Sequence, residues 1–127
     1  AYDNQRFEMI WRLVNRWADK ERLIAEHMSQ AFAQETGLPA FTYKGPNALK
    51  IGAVEGVWAR NLLANRIYEA PVVFLEPYIA NSEEVYQRIQ MVEPDEAGTH
   101  DIQRGKTIVK EYVDAVLLGL EQANNRK

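Results

Sequence analysis

The sequence predicts an α/β fold in which a mixed or mainly parallel sheet is flanked by helices. Three observations predict it. "PVVFL" (Pro71 to Leu75) places β-branched and apolar residues on consecutive positions, the pattern of a strand covered on both faces. Apolar residues at helical steps run through Phe7, Ile10, Val14 and Trp17, then Ile24, Met28 and Phe32, and return near the C-terminus. Finally, the strand-like run leads straight into a carboxylate, Glu76, and then into a helix start, which is where α/β folds place ligands.

Each element follows in order. The first helical pattern has a gap at Glu21, so Ala18 or Asp19 marks a fresh start, with Asp19 as a reasonable cap. "RFEMIWRL" fits a helix, yet Phe7, Met9 and Trp11 also alternate as a strand does. Gly37 in "ETGLP", with proline two residues on, ends the second helix near Thr36. Residues 37–48 read as loop, and the segment "ALKIGAVEGVWARNLLANRIYEA" is ambiguous, with two interior glycines. Asn81 and Glu84 form a capping-box-like pair that opens a helix to about Gln90. "MVEPDEAGTH" is loop. From Asp101 to about Asn124 a last helix gathers Ile108, Val109, Tyr112, Val113, Val116, Leu117 and Leu120 on one face. A freestanding α/β domain of this length shows more strand signals. The sequence therefore implies strands concealed within 40–70, or membership of a larger fold.

Composition narrows the function. The 127 residues are 46% hydrophobic and 26% charged, as a single globular domain would be. A net charge of −3 with scattered Lys and Arg argues against a nucleic-acid surface. With no cysteine there are no disulfides, no thiol nucleophile and no thiolate zinc site. No apolar run approaches the length of a membrane span. The opening Ala1-Tyr2-Asp3 reads as a processed chain or a fragment.

Candidate chemistry is sparse. His27 and His100 lack metal-ligand spacing and read as structural histidines. Neither Ser29 nor Ser82 sits in a nucleophile elbow, and "GAVEG" does not make a phosphate loop. Glu76 remains. At the end of a buried strand it would serve as a general base, with its pKa raised by burial. The competing reading is an ion pair with Arg66 or Arg60 at a sheet edge.

The stretch "NLLANRIYEAPVVFLEPYIANSEE" (Asn61 to Glu84) resembles the C-terminal part of the zinc-dependent N-acetylmuramoyl-L-alanine amidases of the Amidase_3 type. Arg66 stands five residues before Pro71, "VVFL" takes the strand, Glu76 the acid, Tyr78 the aromatic and Asn81 the asparagine. "DKERLIAEHMSQAFAQETGLP" is similar to the family helix before a Thr-Gly-Leu turn. Pro77 and Ala80 depart from the family's glycine and serine, and Pro77 removes a backbone donor from the turn.

The resemblance implies a peptidoglycan hydrolase of the bacterial periplasm or cell envelope. It would cleave the bond between N-acetylmuramic acid and L-alanine with zinc-activated water. Glu76 would move the proton, and Arg66 would orient Glu76 or meet an anionic muropeptide. The family's zinc ligands, two histidines and a glutamate, come from the first half of its domain. No ligand is evident here, so the resemblance implies a C-terminal portion completed by an upstream segment or a second chain. It also implies a strand at "RFEMIW". Two alternatives stand beside it. One is a non-catalytic helical interaction module with Trp11, Trp17 and Phe32 on its partner face. The other is a degenerate amidase-like domain used for binding or regulation.

Overall fold

A computed structural model describes residues 2–90 and 106–125. Five helices and one short hairpin follow in the order α1 (Tyr2–Val14), α2 (Trp17–Thr36), β1 (Leu49–Lys50), β2 (Trp58–Ala59), α3 (Ala64–Ile67), α4 (Glu83–Gln90) and α5 (Ile108–Asn124). The mixed or parallel sheet is therefore corrected. Among the described residues the β-structure is one antiparallel pair, Leu49 opposite Ala59 and Lys50 opposite Trp58.

"PVVFL" forms no regular element. The apolar run is present, but among the described residues no strand pairs with it. The Val72 amide instead donates to the Glu21 carboxylate on α2 (2.8 Å). A side chain thus satisfies a backbone donor that a sheet would otherwise take. "RFEMIW" lies within α1, so the strand implied there is corrected as well.

Helices α1 and α2 are separated by Asn15 and Arg16. Arg16 adopts a left-handed conformation (φ 56°) and its Nε donates to Asp19 (3.0 Å). Helix α2 thus begins one or two residues before the start expected at Ala18 or Asp19. Gly37 closes α2 as expected. Its φ of 62° lets its amide reach back to the Ala33 carbonyl (3.0 Å), at little cost for a residue without a Cβ. Thr36, buried beside it, donates to the Phe32 carbonyl (2.7 Å) and accepts from the Leu38 amide (3.1 Å).

The main packing joins α2 to α5. The two backbones approach closely at Gly119, where an added Cβ would stand 3.0 Å from Met28 Cα and 2.7 Å from its sulfur. Ala31 and Ala115 are fully buried at this contact-forming pair, and Phe32 meets the Tyr112 ring at 5.4 Å. Helix α5 starts at Ile108, capped by Thr107, whose hydroxyl accepts from the Lys110 amide (3.3 Å). The expected start at Asp101 lies outside the described residues, as do "MVEPDEAGTH" and His100, but Lys106 and Thr107 are not helical. Glu84 does not cap α4 by pairing with Asn81; it pairs with Arg88 one turn on.

Much of the apolar face of α5 is turned outward. Val109, Val113, Leu117 and Leu120 are exposed, whereas Glu111, Ala115 and Gly119 are buried. Arg88 of α4 balances Glu111: its Nη1 donates to the Glu111 carboxylate (3.3 Å) and to the Thr36 carbonyl (3.1 Å). One guanidinium thereby ties α4, the end of α2 and the start of α5 together.

Candidate functional site

Glu76 lies on the exposed side of the 71–82 segment, with 51% of its side-chain surface in solvent. The hairpin and the loop before it build its surroundings. Gly56 at the hairpin turn (φ 79°) sits over Ser29 of α2, whose hydroxyl donates to the Glu55 carbonyl. From this anchored turn, β2 presents Trp58 and then Arg60. The Trp58 Nε1 donates to the Phe41 carbonyl (3.2 Å), and Tyr43 packs edge-on against both Phe41 (5.0 Å) and Trp58 (5.4 Å). These rings aim the Tyr43 hydroxyl outward.

The Tyr43 hydroxyl donates to Glu76 Oε2 (2.9 Å). Arg60 Nη1 donates to the Tyr43 oxygen (3.1 Å) and to the same Glu76 oxygen (3.3 Å), with its guanidinium 5.1 Å from the Tyr43 ring centre. Burial and the adjacent Glu76 carboxylate raise the Tyr43 pKa, which keeps the phenol a donor. One carboxylate oxygen thus receives two donors. The competing reading of Glu76, an ion pair with Arg60, is what the structure shows.

Arg66 does not join this cluster. It lies in α3, with its Nε buried and without a hydrogen-bond partner among the described residues, and none of their ion pairs links it to Glu76. Zinc does not fit here either. The groups around Glu76 are a guanidinium and a phenol donor, and a metal site needs lone pairs in place of both. Among the described residues no three His, Asp or Glu side chains gather to hold a metal. His27 is part-buried on α2 with Nδ1 unpartnered among those residues.

The residues proposed for a partner face divide. Phe32 belongs to the core. Trp17 lies under the Arg12 guanidinium (5.4 Å), and Arg12 pairs with Glu21. Trp11 is exposed and stacks on Phe7 at 6.3 Å. Helix α1 also exposes Ile10, Leu13 and Val14. Sequence reasoning missed the outer face of α5 as a surface. The signal was present: Glu111, Ala115 and Gly119 recur at intervals of four, and small residues at that spacing mark a close helix crossing.

A second ionic cluster flanks this outer face. Lys106 bridges Glu35 of α2 (2.7 Å) and Asp114 of α5 (2.8 Å), and Lys110 also reaches Asp114 (3.0 Å). These lysines hold the Asp114 carboxyl below its usual range. At the start of α5 the Tyr78 hydroxyl donates to the Ile108 carbonyl (3.3 Å), and burial, with Glu111 nearby, pushes its pKa up to about 12. Lys110, Glu111 and Asp114 are thus engaged, and beside them α5 carries an uncharged apolar strip. No family model, curated protein or solved structure matches this chain.

Proposed function

We propose that this chain is a non-catalytic helical interaction module, with the outer face of α5 as its principal docking surface. One observation carries the reading. Helix α5 turns Glu111, Ala115 and Gly119 inward and leaves Val109, Val113, Leu117 and Leu120 exposed. Among the described residues six apolar side chains are buried, two of them alanine, while nineteen large ones are exposed. A core that small leaves much apolar surface uncovered, and contiguous exposed apolar surface marks an interaction site. No helix among the described residues is long and apolar enough to cross a membrane, so the strip is not the side of a spanning helix.

The geometry around Glu76 supports the same reading. Its carboxylate fastens the 71–82 segment to the hairpin, and the mixed sheet that would present it as a proton carrier is not formed. The test is Leu117→Glu, with thermal and urea unfolding followed at sub-micromolar protein. A surface leucine should tolerate the charge within about 0.5 kcal/mol. A loss of about 3 kcal/mol or more would show that the face is internal core and would overturn the proposal. Zinc-dependent cleavage of purified peptidoglycan by the chain would overturn it equally, in favour of the amidase.

A further inference from the structure

We infer that the occupant of the α5 face is a second copy of this chain, its α5 lying antiparallel to the first. The inference rests on the docking role proposed above. Its basis is the order of the apolar positions. Val109, Val113, Val116 and Leu120 are separated by four, three and four residues, the spacing of a seam between two helices. The strip is also its own complement. Running a second α5 the opposite way sets Val109 against Leu120 and Val113 against Val116. Both pairings share one centre, between Asp114 and Ala115. A two-fold interface requires this property, since the same patch must serve both partners.

Charge and shape select the same direction. Lys110 borders one end of the strip and Glu121 the other, both exposed. Antiparallel pairing brings the lysine of one copy toward the glutamate of the other, whereas parallel pairing stacks like on like. It also opposes the two helix dipoles favourably. A shallow concavity of about 510 Å³ lies beside Leu120, between Ile24 and Ala123. The second copy's Val109 falls at that end of the seam. The net charge of −3 disfavours the other apolar occupant, an anionic lipid surface.

The strip rises about 16 Å from Val109 to Leu120 at 1.5 Å per residue. That is short for a standard interface of about 800 Å² per partner. The pairing is therefore weak, with dissociation in the micromolar range, at about 1–100 μM.

Sedimentation equilibrium from about 1 to 500 μM tests it, together with cysteine cross-linking, for which the chain offers a clean background because it contains no cysteine. The wild type should show a reversible monomer–dimer equilibrium, and Leu117→Glu should weaken it roughly 30-fold or more. Mixed Val109→Cys and Leu120→Cys chains should form a disulfide on oxidation. Leu120→Cys alone should not, because its two thiols stand about 16 Å apart along the seam. A Leu120→Cys homodimer would overturn the antiparallel arrangement. A wild type that stays monomeric throughout, or that binds phosphatidylglycerol vesicles through this face as a monomer, would overturn the second copy as occupant. If Leu117→Glu remains fully stable in that case, the docking role stands and only its occupant is wrong. If Leu117→Glu unfolds the monomer, both fall.

Discussion

The two faces of α5 invert the usual distribution of side chains along an amphipathic helix. Its inner face holds Glu111, Ala115 and Gly119, each almost fully buried; its outer face holds Val109, Val113, Leu117 and Leu120 in the open. Apolar size does not decide which face turns inward here. Separation does. With Gly119 against the Met28 backbone, α2 and α5 lie too close for a leucine between them, and the small residues make that approach possible. The large residues Val109, Val113, Leu117 and Leu120 are left on the outer surface. Buried area within the monomer is thus small, and the inner face depends on close contact and one buried ion pair.

The ion pair is where this comparison breaks most readily. Arg88 pairs with the buried Glu111 and also serves the Thr36 carbonyl. Replacing it with methionine keeps length but removes charge, so Arg88→Met should cost about 3 kcal/mol in urea unfolding. Pairing it with Glu111→Met should recover most of the loss, because two apolar groups need no compensation. If the single variant costs less than 0.5 kcal/mol, Glu111 is not held by Arg88, and the inner face is apolar in effect.

Gly119→Ala is the second and smaller probe. An alanine gains about 1 kcal/mol in helix propensity over glycine. Its Cβ would press on Met28 Cα at 3.0 Å, and overpacking of that kind costs about 1–3 kcal/mol. The net expectation is a loss of up to about 2 kcal/mol, read as a lowered unfolding midpoint. A stabilised Gly119→Ala would mean that the helices can separate without penalty, and the argument from close approach would fail.

What the sequence shows of this fold follows from how local each signal is. Gly37 ends α2 through its own φ, so the stop is legible from "TGLP". The helical period across Phe7–Phe32 is legible for the same reason. Whether "PVVFL" becomes a strand depends on a partner strand, and no local pattern supplies one; Glu21, fifty-one residues upstream, takes the Val72 amide instead. On α5 the period was legible but the side was not, because hydrophobicity alone does not indicate which face meets another helix of the same chain. At Glu76 the pairing with Arg60 was open to sequence reasoning as an ion pair. Tyr43, brought in by the ring contacts of Phe41 and Trp58, was not.

The polar cluster at Glu76 provides the mildest contrast with α5, and the sharpest for function. Its ion pair is half in solvent, with Arg60 31% and Glu76 51% exposed, so water screens the attraction and little stability depends on it. Glu76→Ala and Arg60→Ala should each cost about 0.5 kcal/mol, certainly below 1 kcal/mol, in the same urea titration. The double variant should cost no more than the larger single one, since each substitution alone already removes the shared contact. The Tyr43 hydroxyl then faces solvent, which hydrates it as well as the carboxylate did. Self-association should be unchanged, because the cluster lies away from Val109–Leu120 in the chain and shares no hydrogen bond with α5. Loss of dimerisation on Glu76→Ala would place this cluster in the interface and redraw the docking surface. Equal dissociation constants for the variant and the wild type would confine association to α5.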